Sequence, residues 1–252
     1  MGDAMQDTSV GATRLGRVLV ASKWAGLVEV AVVFASGIAV ILLASNTFGQ
    51  TPVASIGSVW AANLLMLAIV YWGLRLRGQS WTHLGLDQSL SRWRSAIRVF
   101  LQSIVVFVAA IVAFVFAAIL MANLLGIPER ADMSQYDYLR GNLTLTILAL
   151  ASVYIVSTFA EEVIYRGFMI TRISELGAGG RTAGWLAIVS SSIVFGLVHS
   201  DWGLAGMVQA SFMGLALGIS YVVVRRNLWV TILAHGYMDT ILVLQMYAGI
   251  GS

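Results

Sequence analysis

Seven apolar stretches alternate along the chain with short polar connections: Trp24 to Ser45, Val53 to Leu74, Val99 to Leu125, Leu143 to Phe168, Thr182 to His199, Leu204 to Val224 and Leu228 to Ala248. A hydrocarbon core takes roughly 20 helical residues to cross, whereas an outer-membrane barrel shows segments of about 10 residues with alternating polarity. The long unbroken runs predict an all-α fold, a polytopic membrane bundle of about seven transmembrane helices. Met1 to Lys23 precedes them as a polar tail ending in Arg14, Arg17 and Lys23. The apolar run after it exceeds that of a typical cleaved signal peptide, so residues 1–23 are read as a retained cytoplasmic tail. No long-period repeat, low-complexity tract or linker divides the remainder, and residues 24–248 are read as a single transmembrane domain.

The connections differ in charge, and that difference orients the bundle. With the N-terminus inside, thirteen of the fifteen Lys and Arg fall on the cytoplasmic side, leaving Arg130 and Arg140 outside. Basic residues in short loops favour the cytoplasm, so the expected protein is multi-pass in the cell membrane, N-in and C-out. The inside segment Arg75 to Arg98 mixes Trp81, Leu84, Leu86 and Trp93 with five arginines. It reads either as an amphipathic stretch along the lipid headgroups or as a solvated basic loop.

Composition narrows the function classes. The chain of 252 residues is 59% hydrophobic and 11% charged, with a mean hydropathy of +0.85, against about 25% charged residues in soluble domains. A water-soluble globule, a disordered chain and a collagen-like chain are excluded. The absence of cysteine removes disulfides, thiol nucleophiles, Cys-ligated zinc and iron–sulfur clusters. The net charge of +3 is accounted for by topology, so membrane lipid is an expected partner and nucleic acid is not.

Ionisable side chains within apolar spans are costly, about 2.5 to 3.5 kcal/mol on insertion scales, and mark functional sites by default. Seven occur: Glu29, Glu161, Glu162, Arg166, His199, His235 and Asp239. All but Glu29 fall into three short clusters in the last four spans. In Glu161-Glu162-Val163-Ile164-Tyr165-Arg166, the spacing puts Glu162 and Arg166 one helical turn apart as a self-neutralising structural pair. Glu161 then points about 100° away, free to face a cavity as the reactive carboxylate. Phe195 and His199 share a helix face, with Gly196 offering a close helix approach. His235 and Asp239 are again one turn apart, where a carboxylate can fix the tautomer and orientation of an imidazole. Glu29 reads as packing, satisfied by Asn63.

Glu-Glu-x-x-x-Arg, then Phe-x-x-x-His, then His-x-x-x-Asp, in that order on apolar helices, resembles the CPBP family of intramembrane proteases. That family includes the CAAX prenyl endopeptidases of the Rce1 type and bacterial Abi proteins linked to bacteriocin maturation or self-immunity. The motifs lie within 153–239; Leu84-Gly85-Leu86 and the glycine-bearing Phe212 to Gly218 are similar to further family features. The resemblance implies an intramembrane endopeptidase acting on a membrane-associated peptide or lipidated protein, either CAAX-like or bacteriocin-related. It implies that Glu161 and His199 activate water, while His235 and Asp239 stabilise the oxyanion or help bind a metal. Asparagine is common at the last position; an ionised Asp239 would repel an oxyanion unless it is protonated, orients His235 or ligates a cation. Glu161, His199 and His235 also match the inventory of a catalytic zinc site, so the cofactor expectation is none or one divalent metal, with zinc foremost. A non-catalytic immunity or peptide-binding protein and a proton-coupled transporter are the competing classes.

The spans also pose a geometric problem. At about 1.5 Å per residue, Glu161 lies about 27 Å below the outer start of its helix, while His199 ends a helix running outward. The two can share a site if the fifth span is short and tilted, the fourth begins above the bilayer, and Ser200 to Gly203 turns inside the bundle beside a polar cavity. Gly214 and Gly218 form a small-xxx-small step suited to packing within one chain or between two, and the oligomeric state stays open.

Overall fold

The computed structural model describes residues 13–49, 51–86, 89–126, 133–177 and 180–250. The described chain is helical throughout: α1 (Arg14–Ala21), α2 (Lys23–Phe48), α3 (Pro52–Leu76), α4 (Trp93–Leu125), α5 (Leu143–Leu176), α6 (Arg181–Leu197), α7 (Gly203–Val223) and α8 (Leu228–Ala248). Six of these are long and apolar enough to cross a membrane. The exception among the seven expected spans is α6, at 17 residues. Polar residues set the helix starts. Thr51 accepts from the Ala54 amide ahead of α3, with Pro52 in the first turn where its missing N–H costs nothing; Asn142 accepts from Leu145 ahead of α5.

Helix α1 was not expected, because the tail was read only as polar and basic. Thr13 caps it, accepting from the Gly16 amide at 3.0 Å, and the Thr13 amide donates to the Leu76 carbonyl at 3.0 Å. A Cβ on Gly16 would stand 1.7 Å from that same carbonyl oxygen, so the close approach to the end of α3 requires glycine. Leu15, Val18 and Val20 remain exposed on this short helix. Residues 1–12 of the expected tail, and Arg130, lie outside the described residues.

Helix α7 packs on α4 and α6, α8 packs on α4, and α2 pairs with α3. Gly196, Gly214 and Gly218 all serve the α6–α7 seam: added Cβ atoms would meet Ser211 Oγ at 1.9 Å, Phe195 Cδ1 at 3.2 Å and Ile188 Cγ2 at 3.1 Å respectively. The small-xxx-small step is thus used inside this chain, where lipid supplies no hydrophobic drive and close van der Waals approach does the work.

The Arg75 to Arg98 segment divides between the two expected behaviours. Leu84 is fully buried and Leu86 and Trp81 pack on the core, whereas Leu90 and Trp93 are exposed. The Leu84 carbonyl accepts from Tyr221, the Gly85 carbonyl accepts from the Leu228 amide, and Gly85 has φ +91°. Leu84-Gly85-Leu86 is therefore a plug under the ends of α7 and α8.

Glu29 does not pair with Asn63. Arg77 Nη2 lies 2.6 Å and Arg172 Nε 3.1 Å from its Oε2, and Arg172 Nη1 reaches Glu175 Oε1 at 3.0 Å. Burying two guanidinium groups demands carboxylates of this reach, which a neutral amide cannot replace. Asn63 is left lining an internal cavity, its Nδ2 without a hydrogen-bond partner among the described residues.

Candidate active site

Helix α5 positions the acidic pair. It runs for 34 residues, about 51 Å at 1.5 Å per residue, well beyond the roughly 30 Å hydrocarbon thickness. That length exceeds what the hydrocarbon core needs, leaving room for the expected start above the bilayer, and the 17 residues of α6 agree with a short fifth span. Two π-helical runs, Val153–Thr158 and Glu162–Met169, interrupt the α-helical pattern on either side of Phe159–Glu161. Such wide turns are rare and cluster at functional sites, and here they flank Glu161.

Glu162 is completely buried. Its Oε1 lies 2.9 Å from Arg166 Nη1, as the spacing predicted, and 2.9 Å from His235 Nδ1. A carboxylate in an ion pair can only accept, so Nδ1 of His235 carries the proton. The guanidinium of Arg166 stacks on Phe195, 4.2 Å from the ring centroid, and Phe195 meets the rings of His199 and His235 at 4.7 and 5.7 Å. Phe195 therefore wedges the two imidazoles apart while covering the buried ion pair.

The role of orienting His235 thus falls chiefly to Glu162 on another helix, a role the sequence suggested for Asp239. Asp239 Oδ1 faces His235 Nε2 at 3.6 Å, and its Oδ2 accepts a short hydrogen bond from the Thr158 hydroxyl. Thr158 was not among the expected site residues; its position one turn before Glu161 is the signal that could have found it. Glu161 Oε2 lies 3.9 Å from the same His235 Nε2. His199 Nδ1 sits 2.7 Å from the Phe195 carbonyl, which only accepts, so Nε2 is its available nitrogen.

Glu161, His199, His235 and Asp239 line one cavity of about 480 Å³. Its walls are largely apolar, the usual make-up of a ligand site. Glu162 is outside that lining and Glu161 is within it, as the 100° offset predicted. The Ser200–Trp202 turn contributes Asp201 and Trp202 to the cavity. The turn is nonetheless not enclosed: Ser200, Asp201 and Gly203 are exposed at the bundle end, a correction to the expected internal turn. Tyr136, in the Ser134–Leu139 turn beside it, has its phenol pKa raised by burial and by the neighbouring Tyr138 and Asp201, so it stays a protonated donor.

Among the described residues, no three His, Cys, Asp or Glu side chains are arranged to hold an ion. One nitrogen of each imidazole is already engaged with protein oxygen. Glu161, His199 and His235 have the right donor types without forming a metal centre as they stand.

Residues 143–241 match the family model described as Type II CAAX prenyl endopeptidase Rce1-like. The match spans every residue of the acidic, histidine and aspartate motifs and bears out the CPBP and Rce1-like resemblance over this part of the chain. With six helices long and apolar enough to cross a membrane among the described residues, the chain is a multi-pass membrane protein whose residues 143–241 are similar to CAAX-type intramembrane endopeptidases. No curated protein and no solved structure matches the chain.

Proposed function

We propose that the protein hydrolyses a peptide bond of a membrane-associated substrate, with Glu161 as the general base. One observation carries this reading. Of two adjacent carboxylates, Glu162 is locked by Arg166 and His235, while Glu161 lines the cavity 3.9 Å from an imidazole nitrogen. A carboxylate beside a water-sized gap can take the proton of an attacking water. Peptide hydrolysis also needs a hydrogen-bond donor where the scissile oxygen gains charge, and the Nε2–H edges that His199 and His235 present when protonated supply candidates. Asp239, tied to Thr158, positions His235 Nε2 without donating to the oxyanion.

The experiment compares membrane-fraction peptides from cells carrying the wild-type chain, Glu161→Ala, or no copy. Peptides that change with the wild type alone, with equal amounts of both proteins inserted, are the expected result. Identical products from the wild type and Glu161→Ala would overturn the assignment.

A further inference from the structure

The cavity belongs to one end of the bundle. Its lining runs from Tyr165 and His235 at the floor to Tyr138, Asp201, Trp202 and Met246 near the rim. The floor is shut by Glu162, Arg166 and Phe195, each at most 1% exposed. No described residue of the connections at the other end, around Arg75–Arg98, Gly177–Arg181 and Arg225–Asn227, contributes to the lining.

That other end holds nearly all the basic residues. Arg14, Arg17, Lys23, Arg92, Arg94, Arg98, Arg181, Arg225 and Arg226 lie there, while Arg140 is the one Lys or Arg described at the cavity end. Short loops so enriched in cations stay in the cytoplasm. The water path from Glu161 then leads away from the cytoplasm.

The lining itself is selective in charge. Among the described lining residues the carboxylates are Glu161, Asp201 and Asp239, with no Lys or Arg beside them. Carboxylates in a low-dielectric cleft concentrate cations and exclude anions. Asn63 adds an amide donor, 7% exposed and without a partner among the described residues, suited to a backbone carbonyl.

We infer that the cavity admits its peptide from the outer face of the membrane, as a largely apolar segment that is neutral or basic. The substrate class rests on the peptidase reading above; the direction of access does not. Acidic segments, and a free C-terminal carboxylate held within the cavity, are disfavoured.

The natural chain has no cysteine, so single-cysteine labelling has no background. Ser157→Cys and Ser152→Cys, both partly buried, report on the cavity wall, Tyr138→Cys on the rim and Arg94→Cys on the opposite end. In intact cells, a membrane-impermeant maleimide is expected to label the first three, and Arg94→Cys only after permeabilisation. At Ser157→Cys, a cationic methanethiosulfonate should react faster than an anionic one by about tenfold, relative to their ratio at Tyr138→Cys. Cavity labelling that needs permeabilisation, with Arg94→Cys labelled in intact cells, would overturn the direction. Labelling of the rim but of neither wall position would overturn access. Equal or reversed reagent rates would overturn the charge selectivity. None of these outcomes requires turnover, so they stand apart from the fate of Glu161→Ala.

Discussion

Glu162 on α5 accepts from His235 Nδ1 on α8 at 2.9 Å, across 73 positions of sequence. The same oxygen faces Arg166 at 2.9 Å, so one buried carboxylate both neutralises a guanidinium and fixes an imidazole. This gives the two adjacent glutamates opposite sensitivities. Glu162→Ala leaves Arg166 buried without its counter-charge and should cost about 3 to 5 kcal/mol. Glu161→Gln, at the cavity wall, should change stability by about 1 kcal/mol or less. Thermal unfolding of the two variants in detergent checks the contrast; equal losses would refute the division of roles.

Asp239 is linked to Thr158 and faces His235 Nε2 at 3.6 Å. An asparagine there keeps a carbonyl acceptor for Thr158 and the same side-chain shape beside His235 while removing the charge. Asp239→Asn is therefore expected to retain at least about a tenth of the wild-type turnover, whereas Asp239→Ala falls by about a hundredfold, a loss in the range of positioning-shell changes. Peptide product formed per inserted protein is the readout, and inactivity of Asp239→Asn equal to that of Asp239→Ala would reject the positioning role.

Glu29 holds Arg77 and Arg172 together at the lower end of the bundle. Removing it strands the buried Arg77 and leaves Arg172 with Glu175 as its remaining carboxylate, so Glu29→Ala should destabilise by about 3 to 5 kcal/mol. Adding Arg77→Met should recover part of that loss, because the second change removes one stranded charge. A double-mutant cycle with purely additive effects would contradict the network.

Gly196 lets α7 approach α6 until an added Cβ would sit 1.9 Å from Ser211 Oγ and 2.5 Å from the Met207 carbonyl. Gly196→Ala should cost about 1 to 3 kcal/mol by overpacking and displace His199 three residues on. Pairing it with Ser211→Gly removes the closest atom and should restore part of the stability in unfolding assays. No recovery would place the strain at the Met207 backbone instead.

Features that depend on neighbours along the chain were legible in the residues alone. Span lengths follow from the bilayer thickness, and the α8 bounds Leu228–Ala248 were read correctly to the residue. The Glu162–Arg166 pair and the divergence of Glu161 are consequences of helical periodicity, which any helical backbone imposes. Local rules failed where a buried charge chose a distant partner. Glu29 selected Arg77 and Arg172 over Asn63, and His235 Nδ1 took Glu162 while Asp239 was left to the other nitrogen. The assembled helices decided those matches, the π-helical turns around Glu161 and the cavity that Glu161, His199, His235 and Asp239 share. Each depends on which helix faces are brought together when buried polar groups must find partners away from water, and periodicity along one helix carries no information about that choice.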